Sequence, residues 1–163
     1  MVTTPDFVRE MKRGEEDAVH ALLCAAFPND AEARLVRKLR KQGDIAGESV
    51  LPLGDGIIGY YALSKMAAPK GWLCLAPVAV HPDWQGKGHG RRMIGLLGEW
   101  ARISRQYVIV LGQVPFYERA GFSHARAAGL STPYGVEHTL VAGGKGADVP
   151  EAELVYPAAF GGV

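Results

Sequence analysis

The stretch that decides the fold is Leu75-Ala-Pro-Val-Ala-Val-His-Pro-Asp-Trp-Gln-Gly-Lys-Gly-His-Gly-Arg-Arg-Met-Ile94. It closes a nearly continuous apolar run, Gly71 to Val80, as expected for a strand covered on both faces. The run stops at His81-Pro82, a glycine-rich loop follows, and Arg91 to Arg105 then carries Ile94, Leu97 and Ala101 at helical spacing. Tyr107 to Leu111, rich in β-branched residues, reads as the next strand. A strand, a crossover helix and a second strand imply parallel pairing between the two strands.

The loop itself has a chemistry. Gly86, Gly88 and Gly90 let the backbone approach a ligand and keep side chains out of its path. The first N–H groups of a helix lack intrahelical acceptors, so this junction offers several donors and a positive dipole end to an anion. Lys87, Arg91 and Arg92 add charge, and a pyrophosphate is the natural occupant. The dinucleotide fingerprint GxGxxG fails because Met93 stands where the third glycine should be. The nucleotide-binding GxxxxGK[ST] fails because Gly86-Lys87 is followed by Gly88, with no hydroxyl for magnesium.

Outward from this segment, the N-terminal half reads as Asp6 to Lys12 (a short strand), a helix over Glu15 to Phe27, and a second over Ala31 to Lys41 closed by Gly43. Glu48 to Leu53 and Ile57 to Lys65 form a hairpin around Gly54-Asp55-Gly56. On the C-terminal side, Pro115 to Ala120 reads as a short helix stopped by Gly121, Glu137 to Val141 as a strand, and Gly143-Gly144-Lys145-Gly146 as a flexible stretch. The result is an α/β (α+β) chain: one mixed sheet, an antiparallel hairpin followed by a β-α-β crossover, with helices packed on it.

Composition bounds the function. A chain of 163 residues is one ordinary domain, read here as a single domain over residues 1–163. Its net charge of +1, from 18 basic and 17 acidic side chains, gives no electrostatic reason to expect nucleic acid or an anionic membrane as partner. The basic run Arg34, Arg37, Lys38, Arg40, Lys41 reads as a solvated helix face. Cys24 and Cys74 lie among apolar residues and read as two buried free thiols in a reducing compartment. No Cys/His cluster has metal-ligand spacing, so no metal is expected. The first residues carry no apolar core of a signal peptide, and the longest apolar run is about half what a spanning helix needs. A soluble, cytoplasmic protein is expected.

Gln85, Gly88 and Gly90 meet the pattern (Q/R)xxGx(G/A), and the segment resembles the acetyl-CoA-binding motif of the GNAT acetyltransferases. Leu111-Gly-Gln-Val-Pro-Phe-Tyr-Glu-Arg-Ala-Gly-Phe122 is similar to a later segment of that family, a strand and turn before Tyr-Glu-(Lys/Arg)-x-Gly-Phe. With Ala31 to Arg40 and Val155 to Phe160, the resemblance covers nearly the whole chain and is to the YhbS-like branch of small acetyltransferases.

The resemblance implies the GNAT acyl-CoA N-acyltransferase fold, a twisted, mostly antiparallel sheet, and acetyl-CoA as cosubstrate. It implies a pantetheine arm lying along the Gly71 to Val80 strand and bonding to backbone at Val78 and Val80. The pyrophosphate would rest on the amides of Gly86, Lys87, Gly88, His89, Gly90 and Arg91, with Gln85 bracing the loop. An N–H of Val78 or Ala79 would polarise the thioester carbonyl. Tyr117 would protonate the departing thiolate, as a phenol of high pKa can. An amine must lose a proton to attack. Glu32, at a helix start, is the candidate base, with His81 or a water chain as the other options. The acceptor is expected to be the amine of a small molecule. A non-catalytic acyl-CoA sensor, and an enzyme acting on a protein or aminoacyl-tRNA amine, stand as alternatives. Family members are often dimers, so a homodimer is open. The loops Ala67 to Gly71 and Gly129 to Gly135 are where specificity is expected to lie.

Overall fold

The computed structural model of the chain describes Pro5 and residues 7–162. The elements follow in the order β1 (Arg9–Glu10), α1 (Glu16–Ala26), α2 (Ala31–Gln42), β2 (Ile45–Leu53), β3 (Gly56–Lys65), β4 (Leu73–Val80), α3 (His89–Ser104), β5 (Tyr107–Leu111), α4 (Val114–Arg119), β6 (Leu130–Ser131), β7 (Thr139–Gly143) and β8 (Ala152–Glu153). Strands β1-β2-β3-β4-β5-β7 make one sheet in that spatial order. Every pairing in it is antiparallel except β4 with β5, which the α3 crossover makes parallel.

The two faces of this sheet are covered differently. On one, α3 lays Met93, Ile94, Leu97 and Ala101 onto Leu75, Val108, Val110 and Leu140. On the other, α1 and α2 bring Val19, Leu22, Leu23 and Val36 against Val50, Tyr60 and Ala79. The spacing of the buried positions, three and four apart, is what turns each helix toward the sheet. Helix α2 is also tied by a part-buried charge network: Arg40 meets Glu48 of β2 at 2.7 Å, and the Tyr60 hydroxyl donates to the same carboxylate at 2.5 Å. Glycine ends α2, as its left-handed φ of 74° at Gly43 lets the amide reach back to the carbonyls of Leu39 and Arg40.

Several expectations shift. Of the strand expected over Asp6 to Lys12 only Arg9–Glu10 pairs, with Val50 and Ser49, and Asp6 lies outside the described residues. Helix α3 begins at His89, two residues early, with Gly88 at its cap. The strand expected from Glu137 is instead a 3-10 turn over Val136–His138 followed by β7. The Gly143 to Gly146 stretch is tethered, because Arg126 donates to the carbonyls of Gly143 (2.6 Å), Gly146 (3.0 Å) and Ala147 (3.0 Å). Cys74 is buried as expected, but Cys24 is exposed: it follows Leu23 by one residue and so falls off the apolar stripe of α1. A parallel two-stranded ladder, β6 with β8, had no sequence signal.

Candidate active site

The site begins with a mismatch between β3 and β4. Their register runs from Tyr61↔Val78 to Leu63↔Leu75, two steps on β3 against three on β4, so β4 bulges at Ala76–Pro77. Pairing of β4 with β5 covers only Leu73, Cys74 and Leu75. Beyond it, at the bulge, the parallel strands part. From Val78 to Val80 only β3 pairs with β4, and the other edge faces a gap.

Which groups face that gap follows from one bond. His81 N–H donates to the Ile58 carbonyl at 2.8 Å. Antiparallel alternation then turns the N–H and C=O of Ala79 toward Tyr60, and those of Val78 and Val80 toward the open edge. The Val80 carbonyl is taken, by the Gln85 side-chain amide at 2.9 Å. That bond folds the loop back on the strand end.

The loop continues as a 3-10 turn, Pro82–Trp84, capped by His81, whose Nδ1 accepts the Asp83 N–H at 3.1 Å. Gly86 and Gly88 take φ of 77° and 83°, values L side chains avoid. The first helical bond of α3 runs from Arg92 N–H to the Gly88 carbonyl at 3.1 Å. The amides of His89, Gly90 and Arg91 therefore have no intrahelical acceptor. Gly90 faces the space between Val80 and Phe116, where an added Cβ would still stand 3.5 and 3.6 Å from them. Lys87 rests over the Trp84 ring, 5.2 Å from its centre. The His89 ring is buried beside that of Trp84, with centres 6.1 Å apart, and meets Arg92 Nη2 at 2.7 Å through Nδ1. Desolvation, then Arg92 and Lys87, push its pKa down, which favours the neutral ring.

Across the gap, β5 ends at Leu111-Gly112 and α4 brings Tyr117 back over that end. Its ring presses on Gly112 so closely that a Cβ there would lie 2.5 Å from Tyr117 Cε2. Phe116 and Phe122 hold it edge-on at 4.9 and 5.8 Å. Burial pushes the phenol up to about 12, which keeps it protonated as a donor. Gly112 is the positioning residue that sequence reasoning passed over; its signal was the Leu-Gly-x-x-Pro-x-Tyr spacing.

The candidate bases fare unequally. Glu32 sits half-buried in the first turn of α2, on the sheet face opposite α3, and no described contact joins it to Tyr117. His81 spends Nδ1 on its turn. The basic run of α2 is partly consumed: Arg34 pairs with Asp30, Arg40 with Glu48, and Arg37 meets His20 at 3.3 Å. Among the described residues no group of three or more His, Cys, Asp or Glu could hold a metal, and no helix is long and apolar enough to cross a membrane.

The comparisons agree with this geometry. A family model described as an acetyltransferase (GNAT) domain matches residues 46–124. The uncharacterized N-acetyltransferase YhbS of Escherichia coli K12 is 35% identical over 115 residues, 66% of this chain and 67% of that protein. Over the whole fold, the crystal structure of Escherichia coli YhbS in complex with CoA matches with a TM-score of 0.83 at 25% identity, covering 99% of this chain and 96% of that one. A GNAT acetyltransferase from Brucella melitensis in complex with acetyl-CoA matches with a TM-score of 0.76 at 25% identity, over 94% and 97% of the two chains. The bulged β4, its glycine loop on α3 and the tyrosine seated beyond β5 are thus features of a chain that belongs to the GNAT N-acetyltransferase family, in its YhbS-like branch.

Proposed function

We propose that this chain transfers the acetyl group of acetyl-CoA to a primary amine of a small molecule, by direct attack in a ternary complex. The observation that carries the reading is the gap between β4 and β5, edged by the N–H and C=O of Val78 and the N–H of Val80, with Tyr117 seated at the end of β5. An extended pantetheine suits that edge, because it can take the ladder positions that β5 leaves empty. The pyrophosphate suits the amides from Gly86 to Arg91, three of which have no acceptor of their own in α3. The Gln85 bond to Val80 braces the two halves against each other.

The amine nitrogen forms its bond to the thioester carbon while the carbonyl oxygen takes up charge. Val78 N–H is the donor assigned to that oxygen, because Ala79 N–H is turned to β3. When the carbon–sulfur bond breaks, Tyr117 gives its proton to the thiolate. The nitrogen's surplus proton leaves toward Glu32 through water, and one such proton returns Tyr117 to its starting state. The products are the N-acetylated amine and free coenzyme A. No covalent enzyme intermediate is needed, so neither cysteine has a role. The chain is taken to work as one domain in the cytoplasm, where acetyl-CoA is drawn on.

The test is Tyr117→Phe. Coenzyme A binding, by calorimetry, should stay within about twofold, and thiol release with an accepted amine should fall about 10²-fold or more, the range of general acid catalysis. Unchanged turnover removes Tyr117 from the mechanism. Glu32→Gln should leave coenzyme A binding alone and lower kcat about tenfold or more; an unchanged kcat assigns the proton to solvent.

A further inference from the structure

Strands β5 and β7 are paired from Leu111↔Thr139 onward, so the turn preceding β7 stands beside the end of β5, on the edge away from β4. Between them lies a cavity of about 710 Å³. Its walls come from Leu111 to Pro115, with Gln113 as the polar side chain of that stretch, on one side and Tyr134, Glu137 and His138 on the other. The volume suits a small-molecule ligand. Gly112 belongs both to this cavity and to the seat of the Tyr117 ring.

Glu137 is the one carboxylate in that wall, and it is exposed on a turn whose backbone is pinned. Its oxygens lie over Gly135, where φ is +85° and a Cβ would come within 2.6 Å of Oε1. The turn is pinned at both ends: the Thr139 hydroxyl donates to the Gly135 carbonyl at 2.9 Å, and Gly112 N–H donates to the His138 carbonyl at 3.0 Å. Tyr134 is fixed edge-on to Tyr156, with ring centres 4.9 Å apart. Among the described residues the Glu137 carboxylate has no hydrogen bond or ion pair. The cavity thus sets one unpaired anion among walls that are otherwise mainly apolar.

We infer that this cavity is the acceptor site, that Glu137 anchors the amine, and that the acceptor is a monoamine on an apolar body. The inference rests on the transferase reading above. A carboxylate accepts hydrogen bonds from an amine with two hydrogens as well as from an ammonium, so the anchor holds the attacking form too. Leu111, Val114, Pro115 and the face of Tyr134 take the apolar body, and none of them offers a partner to a second positive charge.

The experiment uses phenethylamine as the monoamine and spermidine as the polycation, on the coenzyme A-loaded protein and its Glu137→Gln variant. Calorimetry should show phenethylamine bound by the unaltered protein and at least tenfold more weakly by the variant. In turnover the variant should raise KM for phenethylamine about tenfold with kcat within threefold and KM for acetyl-CoA unchanged. Glu137→Asp should recover part of the loss. No phenethylamine binding, a change under twofold in the variant, or tighter binding of spermidine overturns the site. Binding that depends on Glu137 without acetylation supports the site and refutes transfer to this class of amine, and acetylation undiminished in the variant keeps transfer and overturns the site.

Discussion

Replacing Gly112 by alanine tests whether the position of Tyr117, and not only its presence, matters. Gly112 has no left-handed φ, so alanine suits its backbone. Space is the obstacle: the new Cβ would meet Tyr117 Cε2 at 2.5 Å, Cδ2 at 3.2 Å and Cζ at 3.5 Å. Carbon atoms rest at about 3.5–4.0 Å, so the ring edge must retreat by about 1 Å. Phe116 and Phe122, edge-on at 4.9 and 5.8 Å, oppose the retreat. Overpacking of this kind costs about 1–3 kcal/mol, and each kcal/mol lowers Tm by about 2–4 °C in a domain of this size. A displacement of about 1 Å at a reacting group costs about 10²-fold in rate. Gly112→Ala should therefore lower kcat about 10²-fold, melt several degrees earlier, and bind coenzyme A as before. The decisive arm is the double variant with Tyr117→Phe. Once the hydroxyl is gone, shifting the ring has little left to disturb, so the two losses should be far from additive. If Gly112→Ala slows the Tyr117→Phe protein as much as the unaltered one, the ring's placement is not what Gly112 protects.

Gly88 and Gly90 should respond in opposite ways. At Gly88, φ of 83° makes alanine cost about 1–2 kcal/mol and re-form the loop, so coenzyme A affinity should drop at least tenfold. At Gly90 the nearest atoms are 3.5 Å away and the helix gains about 0.5–1 kcal/mol, so Gly90→Ala should melt no earlier and keep its coenzyme A; the reverse order would contradict the loop geometry. Glu48→Ala strands the half-buried Arg40 and should cost about 3–5 kcal/mol in urea unfolding, against about 1.5–3 kcal/mol for Tyr60→Phe. A larger loss for Tyr60→Phe would mean the charge pair does not carry the network. Glu15 gives a pH signature: hydrogen bonds from Arg9, then from Lys12 N–H, lower its pKa from 4.5 to about 2. Its stabilisation is present above the unfolded value and lost as pH falls through the folded one. Glu15→Gln should cost about 1 kcal/mol or less at pH 7, with the difference gone by about pH 2; a gap that persists in acid would rule out this carboxylate as its source.

Periodicity made the central β4, α3 and β5 legible, because each carries enough apolar residues for its repeat to show. Where the reading slipped, the deciding contact lay outside the window. Gly88-His89-Gly90 looked like loop throughout, yet a helix start requires only free amides and little side-chain bulk, so α3 absorbs His89 and Gly90. The glycines from 143 to 146 looked slack because Arg126, which holds Gly143 and Gly146, is 17 and 20 residues away from them. Strands of two residues, such as β6 and β8, have no period to read at all.

The two halves of the candidate site differ in the same way. The donor half is backbone on one contiguous segment, and glycines, a strand end and a helix start announce it. The acceptor half comes together only when β5 pairs with β7, which sets Gly112 beside a turn more than twenty residues further on, and a single exposed glutamate in that turn has no pattern around it. Even in the donor half, one question was out of reach of the sequence: whether Val78 or Ala79 offers its N–H to the gap. Continuing the Leu63↔Leu75 register without a bulge would bring Val78 opposite Tyr60 and turn its amide into the sheet, with Ala79 facing out. The extra residue at Ala76–Pro77 inverts that alternation and also ends the ladder to β5. The same irregularity that opens the cleft therefore chooses the amide that faces it.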